Sequence, residues 1–378
     1  MIDTTLADLS LRITDGKHGD CRDCANSGFY FISCKDVNDG QIIYENARQI
    51  YEEDFFDAHK RTRLEPDDIL VTNSGTIGRM AFIEDVPATY RTTFQKSVAI
   101  VKPDKERVLP QYLYYQLQNC VDGFVHQSNG SAQKNLLLST MRAFTMRIHE
   151  NMEEQLRIAS ILAAYDNLIK NNRKQIKLLE EAAQRLYKEW FVDLRFPGHE
   201  STPIVDGIPE GWFTAAVTDL LEIRYGKDHK ALGDGEIPAY GSGGIMRRVN
   251  KVLYSGESVL IPRKGSLNNI LLVSGDFWTI DTMFYSIPKR PNIAKYVYLY
   301  LIGIDMYAMN IGAAVPSMTV KILDGMRLLC PNDSILELFE NTVKPYYDMI
   351  ELLKKKQSML SETRDRLLPK LMSGEIEV

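Results

Sequence analysis

Length, composition and charge set the first limits on this chain. Its 378 residues are enough for two domains that each bury a core, and 44% hydrophobic with 25% charged residues is typical of a folded chain. No apolar run approaches the ~20 residues of a membrane span, and the N-terminus lacks a signal-peptide pattern. Five scattered cysteines favour a reducing compartment over a disulfide framework. We therefore expect a cytoplasmic protein with no membrane partner.

The net charge of -5 argues mildly against a nucleic-acid binder, because such domains are usually basic. The distribution is uneven, however. Residues 224–269 hold eight basic and four acidic side chains, with tyrosines interleaved. A nucleic-acid partner therefore remains open for this part of the chain.

In chain order, residues 1–150 mix short alternating or apolar runs with turn residues and one helical stretch, which predicts an α+β globule. Residues 151–194 predict a long helix. Residues 195–333 repeat the style of the first globule, and residues 334–378 predict a second long helix. The helical stretch 165–190 resembles 347–371, so the chain reads as an internal duplication with two similar heads and two similar helices.

The two long helices carry matching apolar seams at heptad spacing. The seam residues are Ile158, Leu162, Ile169, Ile176, Leu179, Leu186, Ile350, Leu353, Leu360, Leu367 and Leu371. We expect the two helices to pack on each other as an antiparallel coiled coil. The alternative is that they are amphipathic helices lying on the heads. Pro345 is expected to start or kink the second helix, because proline cannot donate its backbone hydrogen bond.

Motifs for chemistry are mostly missing from the sequence. It has no GxxxxGK[ST] loop, no GxGxxG after a strand, no HExxH and no GxSxG. His18, Cys21, Cys24 and Cys34 have the residue types of a zinc site, but the usual second ligand pair is missing. We expect no catalytic residue, no cofactor-binding residue and no metal, and therefore a protein that binds rather than reacts.

Polar glycine-rich turns are the better functional candidates, because Ser, Thr, Asn, Arg and Lys contact phosphates and Asn or Arg can read base edges. The turn at 72–79 is matched by 263–269 in the second head. The alternative is that these are ordinary tight turns with solvated side chains. The full set of candidate DNA-binding residues is Lys17, His18, Thr72, Asn73, Ser74, Thr76, Arg79, Gln133, Lys134, Lys227, Lys230, Tyr240, Ser242, Arg247, Arg248, Arg263, Lys264, Ser266, Asn268 and Asn269.

These residues lie in motifs that resemble those of type I restriction-modification specificity subunits. The resemblance covers essentially the whole chain and is strongest over residues 153–198, which resemble the family's central conserved helix. GIPEGW at 207–212 resembles the start of a second target-recognition domain, and LLPKLMSGEIEV resembles the family's C-terminus. In the first head DGKHGD and DDILVTNSGTIGRMAF, and in the second YGKDHK and LIPRKGS, also fit the family pattern.

The resemblance implies a non-catalytic subunit whose two target-recognition domains each read one half of a split, asymmetric double-stranded DNA site. The two conserved helices would act as a ruler for the unread spacer. Modification subunits, expected to be two, would dock on the helices and carry S-adenosylmethionine and adenine methylation. Restriction subunits would carry ATP and Mg, with ATP hydrolysis, translocation and cleavage.

Two other classes of function remain open from the sequence. A self-contained enzyme that modifies or cuts DNA would need a cofactor motif that the sequence does not show. A coiled-coil scaffold with two ligand-binding heads would have no DNA role and would show no salt-dependent DNA binding.

Overall fold

The computed structural model describes residues 1–128, 130, 134–309 and 317–378 of the chain. The chain divides into two compact units, one made of Met1–Asn171 with Lys356–Val378 and the other of Asn172–Lys355. Each unit therefore contains one predicted head together with parts of both long helices. The heads predicted to end at residues 150 and 333 are followed by helices that begin at Met152 and Asp333.

The first head consists of strands and short helices, and the first long helix follows it. Its elements are β1 (Ile2–Thr5), β2 (Ser10–Asp15), β3 (Tyr30–Ile32), β4 (Val37–Asn38), β5 (Gln41–Ile42), α1 (Glu52–Thr62), β6 (Ile69–Thr72), β7 (Met80–Phe82), β8 (Thr92–Phe94), β9 (Val98–Pro103), α2 (Pro110–Asn119), α3 (Val121–His126), α4 (Leu138–Ala143), β10 (Thr145–Ile148) and α5 (Met152–Tyr187).

An antiparallel sheet in the order β2-β9-β6-β7 forms the centre of the first head. The N-terminal strand β1 pairs with β10, and β3 runs parallel to β8. Alternate residues of the sheet, such as Val71 and Val101, are buried against Tyr112 of α2 and Ile158 of α5. Leu371, near the end of the second long helix, joins the same core. The head and parts of both helices thus share one hydrophobic core, the main stabilising term in folding.

The second unit repeats this order after α5. A π-helical turn at Lys188–Val192 follows α5, and the later elements are β11 (Ile204–Val205), β12 (Ile208–Pro209), β13 (Phe213–Ala216), α6 (Val217–Leu220), β14 (Leu221–Tyr225), β15 (Ile237–Gly241), β16 (Gly244–Val249), β17 (Tyr254–Ser255), β18 (Ser258–Pro262), β19 (Leu271–Val273), β20 (Asp276–Thr279), β21 (Met283–Pro288), α7 (Ala294–Ile302), α8 (Val320–Gly325), β22 (Arg327–Cys330) and α9 (Asp333–Met372).

The second head shares its main strand pairings with the first. Its central antiparallel sheet has the order β14-β21-β18-β19, β13 pairs with β22, and β15 runs parallel to β20. Each of these pairings has its counterpart in the first head, including the parallel pair, whereas β16 and β17 extend the parallel pair of the second head alone. The predicted α+β fold with two similar heads and long helices is confirmed.

The seam residues of the long helices are buried or half-buried, none being exposed. In the first unit, Ile158 and Leu162 share a core with Leu371, and Asp166 pairs with Arg364. In the second unit, Ile176 packs with Ile350 and Leu353. Within each unit, residues later in α5 contact residues earlier in α9, so the two helices run antiparallel there.

Pro345 does not start the second helix, because α9 begins at Asp333, next to the predicted boundary at residue 334, and continues through Pro345. The alternative expectation, a kink at Pro345, stays a prediction. The early turns of α9 bury Leu336, Phe339 and Val343 in the core of the second unit. This burial outweighs the backbone hydrogen bond that proline forfeits. In the described part of the chain, no helix is long and apolar enough to cross a membrane.

Candidate nucleic-acid interface

A glycine–lysine pair follows the first strand of the central sheet in the first head. A Cβ atom on Gly16 would lie 2.0 Å from the carbonyl oxygen of Phe94, so no other residue fits there. The Lys17 N–H donates to the Phe94 carbonyl over 2.8 Å, and the Lys96 N–H donates to the Lys17 carbonyl over 3.1 Å. The backbone therefore fixes where the Lys17 side chain leaves the head.

The second head builds the same turn from different neighbours. A Cβ atom on Gly226 would lie 1.9 Å from the carbonyl oxygen of Ile280. The Lys227 N–H donates to the Thr279 carbonyl over 2.8 Å, and the indole N–H of Trp278 donates to the Lys227 carbonyl over 3.0 Å. Lys17 and Lys227 thus occupy equivalent positions in the two heads.

The two glycine-rich turns also correspond. Gly75 and Gly265 have φ angles of +81° and +82°, a left-handed conformation that favours glycine. Their Cβ positions would lie 3.3 Å from Cys34 Sγ and 2.7 Å from Ser242 Oγ. Each turn therefore lies against the segment that follows the parallel strand, β3 or β15.

Backbone hydrogen bonds connect the predicted segments of the first head. Asn73 N–H donates to the Ser97 carbonyl over 3.1 Å, and Cys34 N–H donates to Ser97 Oγ over 3.3 Å. Gly75 N–H donates to the Lys134 carbonyl over 3.3 Å. Residues 95–97 thus join the turns at 17, 73–76 and 134 into one polar surface, which we call the first polar face.

The second head holds the corresponding segments together in a similar way. Arg263 N–H donates to the Thr282 carbonyl over 2.8 Å, Met318 N–H donates to the Arg263 carbonyl over 2.9 Å, and Asn269 Nδ2 donates to the Ser242 carbonyl over 2.8 Å. We call the surface formed by residues 226–230, 242, 247, 263–269 and 280–282 the second polar face.

The predicted residues differ in exposure. Those exposed to solvent are His18, Thr76, Arg79, Lys134, Lys227, Lys230, Arg248, Lys264, Ser266 and Asn268. Those that are half-buried are Lys17, Ser74, Tyr240, Ser242, Arg247, Arg263 and Asn269. Gln133 lies outside the described residues.

Thr72 and Asn73 are buried in the first head, so neither offers a surface for DNA. The Thr72 hydroxyl accepts the Arg79 N–H over 2.9 Å and donates to the Thr76 carbonyl, which closes the turn from inside. Tyr240 packs among buried aromatic residues of the second head, and burial raises the pKa of its hydroxyl. These residues support the polar faces rather than form their outer surface.

Charges on the loop beside the first polar face are paired, whereas Lys96 and Lys134 of the face and the neighbouring Arg79 form no ion pair within the described residues. Lys17 Nζ lies 2.8 Å from Asp57, and the resulting hydrogen bond raises the pKa of Lys17. His18 Nε2 and Arg61 Nη2 lie 2.8 Å and 2.6 Å from Asp15. Nearby, Arg22 pairs with Glu53 and Asp54, and Arg48 with Asp20 and Asp23.

Charges of the second polar face are mostly unpaired. Within the described residues, Lys227, Lys230 and Lys264 form no ion pair with a carboxylate. Arg247 pairs with Asp234 over 2.9 Å. Arg263 lies over the ring of Tyr225 at 5.3 Å, a cation–π contact that leaves its charge uncompensated.

Sequence reasoning missed the residues that join the segments, such as Ser97 and Thr282. They carry no motif, because their role is to accept backbone hydrogen bonds from residues distant in the chain. It also missed Met246, an exposed apolar residue beside the second polar face. Among the described residues, no group of three or more His, Cys, Asp or Glu side chains could hold a metal ion.

Comparisons with known proteins place similar sequences in one family. The family described as "Type I restriction modification DNA specificity domain" matches residues 19–181. The type I restriction enzyme MjaIX specificity subunit of Methanocaldococcus jannaschii is 26% identical over 344 residues, which cover 82% of this chain and 78% of that protein. The EcoBI specificity subunit of Escherichia coli is 27% identical over 175 residues, 45% of this chain and 36% of that protein.

A solved structure has the same fold. It is the type I restriction-modification S subunit from M. genitalium, with a TM-score of 0.58 and 17% sequence identity, covering 98% of this chain and 96% of that one. The internal duplication and the pairing of heads with long helices thus belong to a fold already seen in another protein.

Proposed function

Because this chain belongs to the type I restriction-modification specificity subunits, the non-catalytic subunits that recognise DNA sequence, we propose that each head reads one half of a split, asymmetric DNA site. The observation that carries this proposal is that one polar surface is built twice, on equivalent strands and with equivalent glycine turns. A single binding task would need one such surface. Different side chains on the two surfaces would then read different bases, which makes the site asymmetric.

The contacts that each polar face offers suit this task. Lysine and arginine side chains neutralise phosphates, whereas Asn, Ser and Thr side chains can donate to or accept from base edges. Asn268, Ser266 and Lys264 lie exposed on one turn of the second head. Thr76 and Arg79 lie exposed on the corresponding turn of the first.

We propose further that two modification subunits dock on the long helices and that restriction subunits complete the assembly. Several large apolar side chains of these helices are exposed. In the first unit they include Leu156 and Leu168, and in the second Leu178, Met349 and Leu352. Met349 and Leu352 are three residues apart and so lie on one face of α9, and an exposed apolar patch can mark a protein interface. S-adenosylmethionine, ATP and Mg would be bound by these partners, in the cytoplasm, and none by this chain.

The helices are proposed to set the unread spacer between the half-sites. Inserting four residues after Asn171 and four after Lys355, where each helix leaves one unit and enters the other, would lengthen both helices by about 6 Å. The assembled methylase should then methylate the same two half-sites with a spacer longer by one or two base pairs. Methylome sequencing measures this directly.

A matched control inserts the same four residues into the exposed loop at 206–207, outside both helices, and should leave the spacer unchanged. An active helix-insertion enzyme that kept the original spacer would contradict the ruler. Loss of sequence-specific methylation with the loop insertion would show that the variant had damaged the second head instead.

A further inference from the structure

Met246 is an exposed apolar side chain at the edge of the second polar face. It lies on β16, which pairs with β15 across the short turn at 242–243, and 56% of its surface is exposed. The register shifts between Ala239 and Tyr240, so Met246 is the extra residue of a β-bulge. Bulges occur next to functional sites, where they redirect a side chain.

The position of Met246 relative to the polar face is fixed by two close approaches. Its sulfur lies 2.6 Å from the place a Cβ of Gly241 would occupy, and Cδ1 of Ile280 lies 3.1 Å from the same place. The carbonyl of Ile280 is the group against which Gly226 packs. Met246 therefore lies beside the Gly226–Lys227 turn, over a gap left by Gly241.

The surrounding hairpin is held in place on both sides. Asn269 Nδ2 donates to the Ser242 carbonyl over 2.8 Å at the turn. Arg247, next to Met246, donates to the Leu232 carbonyl over 3.0 Å and to Asp234 over 2.9 Å. The hairpin thus presents an apolar side chain from a rigid frame, among groups that carry positive charge.

We propose that Met246 contacts the 5-methyl group of a thymine in the second half-site. This inference rests on the proposed function. The thymine methyl is the one apolar group on the major-groove edges of the bases, so an apolar side chain there distinguishes thymine from the others. Methionine suits the contact because its thioether is flexible and polarisable.

The first head lacks a counterpart to this contact. Gln95 N–H donates to the Ile32 carbonyl as Ile280 N–H donates to the Tyr240 carbonyl, so Gln95 is the counterpart of Ile280. By the same pairing, Ser33 takes the place of Gly241. The corresponding site of the first head is therefore polar, and the first half-site serves as an internal control.

The test replaces thymine by uracil, which lacks only the methyl group. The recognition sequence is first read from the methylome, and binding of the assembled methylase is then measured on DNA carrying deoxyuridine at one thymine position at a time. One position in the second half-site should lose affinity about three- to fivefold, the effect expected for one buried methyl group. Met246→Ala should lose a similar factor on thymine DNA and show no thymine–uracil difference at that position.

Two further variants make the test specific. Ile245→Ala removes an equally exposed neighbour, 56% exposed, that pairs with Tyr240 rather than lying over Gly241, and should keep the thymine–uracil difference. Met246→Leu retains an apolar side chain and should keep most of the thymine–uracil difference in affinity.

The inference is overturned if no thymine in the second half-site is sensitive to its methyl group, or if Met246→Ala keeps the same sensitivity as the unchanged protein. Either result would leave the proposed function intact, provided that the methylase still prefers its own sequence to scrambled DNA. A methylase without that preference would overturn the proposed function and this inference together.

Discussion

The two heads share one backbone plan but treat charge differently. Gly16 and Gly226 make the same close approach to a carbonyl, and Gly75 and Gly265 have almost the same φ angle. Yet Lys17 is paired with Asp57, whereas Lys227 forms no ion pair among the described residues. The shared backbone thus fixes the positions of the equivalent side chains. The neighbouring residues, which differ between the heads, determine whether their positive charge is available for phosphates.

This difference assigns unequal contributions to equivalent lysines. A lysine without an ion pair releases more counterions when it binds DNA, so Lys227 and Lys264 should each contribute more to the salt dependence of binding than Lys17, which is paired with Asp57. In the first head, the ion pairs of Lys17 with Asp57 and of Arg22 with Asp54 hold the loop at 17–22 against α1. That loop is ordered before DNA arrives, so less side-chain entropy is lost on binding.

The largest predicted effect concerns an ion cluster around a buried lysine in the second unit. Lys295 of α7 bonds Glu257 and Glu340, the latter at 2.7 Å, and is 5% exposed. Burial lowers the pKa of Lys295, but the hydrogen bonds to the two carboxylates raise it more. Lys295→Met should cost about 3 kcal/mol of the free energy of unfolding, because it leaves two partly buried carboxylates without their partner.

Thermal and urea denaturation of the full chain measure this loss. The control is Lys344→Met, an exposed lysine paired with Asp348 four residues on, whose removal should change stability by less than about 0.5 kcal/mol. Equal small effects for the two variants would mean that the cluster does not hold α7 to α9.

The next effect tests the shared glycine turns. Gly16→Ala and Gly226→Ala each place a Cβ within 2.0 Å of a carbonyl oxygen, and relieving such an overlap costs about 1–3 kcal/mol. Each should weaken methylase binding through its own half-site only. The control, Gly243→Ala, has no atom within 4 Å of its added Cβ. Binding unaffected by either variant would remove these turns from the interface.

The charge comparison predicts a smaller effect, seen in salt dependence. Replacing Lys227 and Lys264 together by Ala should reduce the slope of log affinity against log salt by about two, one for each phosphate that the protein no longer neutralises. Lys17→Ala should change the slope by less, because its charge is already compensated by Asp57. Titration of the assembled methylase at several salt concentrations gives both slopes. Equal changes per lysine in the two heads would contradict the assignment.

The smallest effect is a pH dependence confined to the first unit. His149 is buried beside Tyr112, with Nδ1 2.8 Å from the hydroxyl, and burial lowers its pKa although Glu154 opposes this. The folded protein therefore holds His149 neutral at a pH where the unfolded chain already binds a proton. The contribution of His149 to the free energy of unfolding is complete above the pKa of the unfolded chain, about 6.5. It is lost as the pH falls through the lower pKa of the folded protein.

His149→Gln should accordingly flatten the fall in stability between pH 7 and 5. Subtracting the two pH profiles isolates His149 from other titrating groups, such as Asp68, whose pKa burial raises to about 6. Pro331 takes the place of His149 at the corresponding junction of the second unit and cannot titrate. If the unchanged protein and His149→Gln had identical profiles of stability against pH, the acid sensitivity would come from other groups.

Much of this architecture could be predicted from sequence, because its signals are periodic or repeated. The seam residues Ile158, Ile176 and Ile350 follow a heptad spacing, and the paired glycine turns appear in both halves. The burial of Thr72 could not be predicted, since the hydroxyl residues of a turn look alike until the backbone decides which faces inward. The ion pair of Lys17 with Asp57 could not be predicted either, because the two residues lie on separate elements.

The start of α9 shows the same limit. The local rule for proline allowed a helix start at Pro345, whereas the division of the chain predicted a helix from residue 334. The helix begins at Asp333, and burial of Phe339 and Val343 in the second core stabilises the turns before Pro345. Local sequence rules therefore predict secondary structure well where they agree with the packing of the core. They fail where burial in the core has the larger effect.

The most direct test of the division of the DNA site between the heads is to exchange one head. Residues 209–333 would be replaced by the corresponding residues of a specificity subunit that directs methylation of a different sequence, and the methylome determined. We predict that one half of the methylated site changes while the other half and the spacer stay the same. A reciprocal exchange of residues 1–148 should change the other half. Exchanges that altered both halves, or neither, in a methylase that still modifies DNA would contradict this division.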